Sequence, residues 1–204
     1  MDKAIIFRGT KITRAKSRNN ILRVLSKAKD KDKFDWYQEA NSFCQQLSDK
    51  YDLPKDKVIG IVSALSPMRR WDINKRDAEY YISTDKTLRW NDKLKGYKKL
   101  HTTNQVNKCL RIRNTDDDIL TVLGGPKTKS FYMNIKYPAG VDNVTIDRHA
   151  IAVALGRIPT DEEHNMTDKA YRFFVDVYKW TAEGLGMKPL LLQSITWEVW
   201  RKIK

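Results

Sequence analysis

The sequence predicts an all-α protein. Three observations predict it: apolar residues recur at steps of three and four along most of the chain, Pro, Gly and capping residues fall where that pattern starts and stops, and alternating β patterns are scarce. The best strand candidate is AIIF at residues 4–7. A length of 204 residues suits one domain, or one compact body with two lobes, and is enough chain to bury about two-thirds of its unfolded surface.

Taken in order, Tyr37, Ala40, Cys44, Leu47 and Tyr51 form one helical stripe, broken by Asp52, Leu53 and Pro54. A helix over about 55–65 follows; VIGIVSALS is apolar on most faces and is expected to be deeply buried. Ser66 and Pro67 stop it, and a helix resumes near Asp72, leaving 67–71 as an exposed connection with two arginines and an indole. Residues 84–103 are polar, lysine-rich and weakly periodic, which predicts loops with short helical turns. Helices return over 104–112 and 116–123, the second opened by the acidic run Asp116, Asp117 and Asp118, favourable at a helix N-terminus. Further helices follow Pro126, Asp147 and Thr167. In the last, Ala170, Phe173, Phe174, Val177, Tyr178 and Thr181 make a broad apolar face, ended by Gly184 and Gly186, and Pro189 opens a terminal helix.

A net charge of +14 and an isoelectric point near 9.7 create a positive field that attracts polyanions, so nucleic acid is the expected partner. Membrane binding is not expected, because Lys and Arg recur from Lys3 to Lys204 instead of clustering on one amphipathic segment. The N-terminal apolar run is too short for a signal segment and no stretch approaches a membrane span, which predicts a soluble, intracellular protein. Cys44 and Cys109 form no CxxC pair, and His101, His149 and His164 have no metal-ligand spacing with them. No metal, disulfide framework or cofactor is therefore expected, and no Walker or dinucleotide fingerprint is present.

The richest segment is 122–156, VLGGPKTKSFYMNIKYPAGVDNVTIDRHAIAVALG. Gly124 and Gly125 permit a tight turn between helices, and Pro126 suits the first turn of the second. The N–H groups of that helix start, with Lys127 and Lys129 beside them, would bind a phosphate without reading sequence. Asp147 heads the next helix, whose buried stripe is Ala150, Ile151, Ala154 and Leu155. It serves as an N-cap there, and the same geometry keeps its carboxylate ionised for chemistry.

LGGPKT followed by IDRHAIAVALG resembles the helix-hairpin-helix DNA glycosylase superfamily, whose hairpin reads LPGVGxKTA and whose catalytic aspartate sits in VDTHVxRVxxRLG. Ile146, Asp147, His149 and Gly156 match that second pattern, and ALSPMRRWDIN at 64–74 is similar to the family's LSxQxxDxxVN segment. A narrower resemblance is to phage-associated members labelled α-glutamyl/putrescinyl-thymine pyrophosphorylases. It rests on Ser66, Pro67, Trp71 and Asn74, on residues 125–135 and 147–150, and on Gln193 with Trp197.

The resemblance implies a two-lobed helical fold with a helix-hairpin-helix, an active site in the cleft between the lobes, and a monomer acting on duplex DNA with a flipped base, in the cytoplasm of a bacterial or phage-infected cell. It implies Asp147 and Lys127 as catalytic residues. Alignment of the helix pattern selects Lys127, whereas the spacing from Asp147 selects Lys129, and the hairpin is one residue shorter than the family's. DNA contacts are expected from Gly124, Gly125, Lys127, Thr128, Lys129, Arg69, Arg70, Arg148 and His149, with Met68 and Trp71 as wedge candidates. Ser66, Trp71, Asn74, Tyr132 and Trp197 are the expected base pocket, with Tyr80 and Tyr81 as further candidates. The implied activity is excision of a modified, hypermodified-pyrimidine base. The alternatives are a phage DNA-hypermodification enzyme on the same scaffold, a pyrophosphorylase or amino acid:DNA transferase acting on an activated 5-hydroxymethyluracil base, and a noncatalytic helix-hairpin-helix DNA-binding protein.

Overall fold

The structure, a computed structural model, describes residues 3–29, 36–140 and 143–203. The described residues are mostly helical, with four short strands. In chain order the helices are α1 (Arg14–Leu25), α2 (Trp36–Tyr51), α3 (Lys55–Leu65), α4 (Trp71–Thr84), α5 (Thr103–Asn114), α6 (Ile119–Leu123), α7 (Pro126–Lys136), α8 (Arg148–Leu155), α9 (Asp161–His164), α10 (Asp168–Glu183) and α11 (Pro189–Ile203). The strands are β1 (Ala4–Phe7), β2 (Thr10–Thr13), β3 (Leu88–Asn91) and β4 (Gly96–Lys99), paired as two antiparallel hairpins, β1 with β2 and β3 with β4. Chain contacts divide the protein into two compact units, Met1–Tyr37 with Tyr137–Lys204, and Gln38–Lys136.

In the first unit, the β1–β2 hairpin buries Phe7 and Ile12, and Phe7 meets Phe174 edge-on at 5.5 Å between ring centroids. Thr13 then caps α1 by accepting from the Lys16 N–H. Helices α8, α10 and α11 pack against α1. Every residue from 150 to 154 is buried, so α8 runs through the core. Helix α10 buries all six residues of its expected apolar face. The four-residue α9 is too short to leave a periodic signal; it is held by a capping box between Thr160 and Glu163. The Glu163 carboxylate is 2% exposed and accepts two 2.7 Å bonds from Arg157. Those bonds hold its carboxyl below the usual range.

In the second unit α3 is buried from Val58 to Leu65 and is surrounded by α4, α5, α6 and α7. Its apolar sequence on most faces follows from that enclosure. Cys44 and Cys109 are free and buried, and burial pushes both thiols up to about 12.

Two local expectations are corrected. Residues 84–103 hold the β3–β4 hairpin and not loops with helical turns. Its outward face, Leu88, Trp90, Tyr97 and Lys99, is exposed throughout, so no buried apolar alternation marks the strands. The helix expected over 116–123 starts at Ile119, because Asp118 is its N-cap, accepting from the N–H groups of Leu120 and Thr121.

Candidate functional site

Asp147 is reached through Val144, Thr145 and Ile146, all buried. Tyr171 fixes this approach: its hydroxyl accepts from the Ile146 N–H at 3.4 Å and donates to the Val144 carbonyl at 3.3 Å. Asp147 adopts extended backbone and caps α8. Its Oδ1 accepts both capping bonds, from His149 N at 3.0 Å and Ala150 N at 2.8 Å. Among the described residues no donor is hydrogen-bonded to Oδ2. One carboxylate oxygen thus fixes the side chain at the positive end of the helix.

The far end of α8 is equally specified. Gly156 terminates it at φ +71°, and a Cβ there would lie 2.8 Å from Arg23 and Asn20. The Asn20 amide donates to the Ala154 carbonyl at 3.0 Å, fastening α8 to α1.

Aromatic side chains pack around His149, two residues after Asp147. The His149 ring meets Trp197 at 5.9 Å and 81°, and Trp36 meets Trp197 at 6.1 Å. The Arg201 guanidinium lies 4.6 Å from the same indole. Tyr37 donates to Gln193 Oε1 at 2.9 Å, holding the start of α2 against α11. Trp197 therefore packs with three neighbours and positions His149, which follows Asp147 by two residues. Arg148 is exposed, and its Nε donates to His149 Nε2 at 3.4 Å.

The second unit carries the glycine turn. Gly124 takes φ +81° and ends α6, its N–H reaching the Leu120 carbonyl, while Gly125 has an ordinary φ and open space where a Cβ would stand. Lys108 donates to the Leu123 carbonyl at 2.6 Å, closing the C-terminus of α6. Pro126 opens α7, whose first turn offers N–H groups without intrahelical partners. Lys127 is exposed, whereas Thr128 and Lys129 are half-buried.

The α3–α4 turn holds its exposed residue stiffly. Met68 is 84% exposed at φ +59°. Behind it, Arg69 donates to the Leu100 carbonyl at 2.6 Å and His101 Nε2 bonds the Pro67 carbonyl at 2.7 Å. Arg69 is thus a tether of the turn, while Arg70 pairs with Asp72 at 3.1 Å and stays exposed. Trp71 is half-buried against Phe43 at 5.9 Å, with Lys75 5.7 Å from its ring. Ser66 bonds the Ser63 carbonyl. Asn74 and Tyr132 are 1% and 4% exposed, and the Asn74 amide donates to the Val62 carbonyl. Both pack inside the unit and line no open surface. Tyr81 is buried as well, and Tyr80 bonds the Leu88 carbonyl.

A family model described as "Family of unknown function (DUF7178)" matches residues 3–204. The chain belongs to the DUF7178 family. No curated protein and no solved structure matches the chain.

Both the Asp147 cluster and the glycine turn lie within the DUF7178 match. Among the described residues, no group of three or more His, Cys, Asp and Glu side chains could hold a metal ion. No helix among them is long and apolar enough to cross a membrane. Trp36, Arg201, Lys108 and His101 escaped sequence reasoning as parts of these sites. A tryptophan or arginine near a helix end has many possible partners, and only packing selects one.

Proposed function

We propose that this protein is a DNA glycosylase of helix-hairpin-helix type that excises a modified pyrimidine. The carrying observation is the asymmetric capping of Asp147, with both backbone N–H groups on Oδ1 and none on Oδ2. In this reading Oδ2 stabilises the cationic sugar as the bond from C1′ to the base breaks, and orients the water that adds to C1′. The base leaves with the bonding electron pair, and the products are a free base and an abasic site.

The α6–α7 connection supplies the phosphate grip through the first N–H groups of α7 and the side chains of Lys127, Thr128 and Lys129. The exposure of Lys127 suits a phosphate ligand and not a desolvated nucleophile, so the enzyme is monofunctional. Met68, displayed on its pinned turn, is the wedge that fills the stack after flipping. Arg70 is the nearest exposed cation in sequence for the flanking phosphate.

The test incubates the protein with duplexes bearing hydroxymethylated, glucosylated or phosphorylated pyrimidines and weighs the products by mass spectrometry. Release of a free base is expected, with Asp147→Asn slower by about a hundredfold or more and DNA affinity nearly unchanged. Borohydride should trap no covalent protein–DNA adduct. An intact, heavier nucleoside would instead assign a transferase, and undiminished turnover by Asp147→Asn would overturn the role of the aspartate.

A further inference from the structure

Among the described residues, the outer sheet face of the β3–β4 hairpin is left exposed. Pairing places Leu88 opposite Lys99 and Trp90 opposite Tyr97, so these four share one face, and all four are exposed. The other face is turned to the unit: Arg89 reaches Asp77 at 3.7 Å. The Tyr80 hydroxyl of α4 donates to the Leu88 carbonyl and ties the hairpin down, and the Leu100 N–H donates to the Thr87 carbonyl at the base of the two strands.

On the outer face Trp90 and Tyr97 meet at 5.4 Å and 81°, yet remain 49% and 71% exposed. The Trp90 N–H donates to Asp92 at 3.1 Å, which orients the indole. Between residues 86 and 99 there are six basic side chains, Lys86, Arg89, Lys93, Lys95, Lys98 and Lys99, against Asp92 alone. Two exposed rings of this kind carry a solvation cost unless something apolar and flat covers them, and the surrounding charge selects an anionic partner. Unpaired nucleic acid has both properties, with base faces to stack on the rings and phosphates to meet the lysines. A paired duplex hides its base faces within the stack.

We infer that the β3–β4 hairpin is a binding platform for an unpaired DNA strand, with Trp90 and Tyr97 stacking bases and Lys93, Lys95 and Lys99 meeting phosphates. That the strand is DNA rests on the function proposed above; the stacking and charge arguments do not. The platform uses none of the residues of the Asp147 cluster or the glycine turn.

Fluorescence anisotropy with the full chain tests it, using labelled thymidine oligomers, uridine oligomers of the same length and a DNA duplex. Trp90→Ala and Tyr97→Ala are each expected to weaken binding of the thymidine oligomer about tenfold, with duplex binding changed less than about twofold. Lys93→Gln with Lys95→Gly removes two charges, and the glycine also relieves the φ of +48° at position 95. That variant should flatten the dependence of log affinity on log salt by about 0.7 per lysine. It decides the matter if loss of a ring unfolds the hairpin. Unchanged oligomer affinity in all three variants overturns the platform, as does equal loss on the duplex or preference for the uridine oligomer. Binding to phosphatidylserine vesicles that is lost with Trp90, while DNA binding is kept, also overturns it. Asp147→Asn should leave oligomer binding intact, so failure of the glycosylase reading appears in product release and failure of the platform in anisotropy.

Discussion

Asp147 performs a structural task and, in the proposed reading, a chemical one, and two substitutions separate them. Asparagine caps a helix about as well as aspartate, while alanine forfeits the capping bonds at a cost of about 1 kcal/mol. Urea unfolding should therefore find Asp147→Ala destabilised by about that amount and Asp147→Asn close to the native protein, while both lose base release. Equal stability of all three would mean that the capping bonds contribute nothing. His101 offers a pH test. Its Nδ1 accepts from Thr102 N at 2.7 Å and its Nε2 bonds the Pro67 carbonyl, an arrangement that requires the neutral ring. Burial, the largest cause, lowers its pKa below 6.5. A histidine with a depressed folded pKa contributes stability that is present above the unfolded value and is lost as pH falls through the folded one. Thermal unfolding between about pH 7 and pH 5 should show that loss in the native chain and a flatter profile in His101→Gln.

At the scale of elements, the two glycines between α6 and α7 have different jobs. Gly124 has φ +81° and ψ −108°, a conformation that a side chain strains, so Gly124→Ala should lower stability by about 1–2 kcal/mol. Gly125 has no positive φ, and a Cβ added there would meet no atom within 4 Å, so Gly125→Ala should fold normally. If a phosphate approaches this backbone closely, the added methyl group will still weaken DNA binding severalfold. Equilibrium unfolding paired with a DNA-binding titration distinguishes the two; a Gly125→Ala protein with native affinity would remove the close approach. The β3–β4 hairpin shows the opposite relation between element and sequence. Its strands carry their apolar side chains outward, so the usual sign of a strand, alternate burial, is missing.

For the whole molecule the dominant quantity is the net charge of +14. If phosphate contacts supply most of the affinity for duplex DNA, log K should fall with log salt at a slope of about −3 or steeper, corresponding to three or more neutralised phosphates. A flat response, measured by anisotropy over a salt series, would detach the charge from DNA binding. Two compact units share the chain, and the family match runs across both. The residues brought together within the first unit are Asp147, His149, Trp197, Trp36 and Arg201; those within the second are the glycine turn with Lys108 and the Met68 turn with Arg69 and His101.

By itself the sequence determined the helical character, the enclosure of α3, the apolar face of α10, the stop at Pro67 and the position of Asp147 at a helix start. Each depends on periodicity, capping or φ preference, forces that act within about one or two helical turns. Tertiary structure alone decided that both capping bonds of Asp147 fall on one oxygen, that Trp197 supports His149, and that Lys108 closes α6. It also turned Arg69, Asn74 and Tyr132 inward and left Trp90 and Tyr97 outside. Those outcomes join side chains far apart in the chain, or set a side chain against solvent. They follow from which surfaces pack together, a choice that local propensity does not contain.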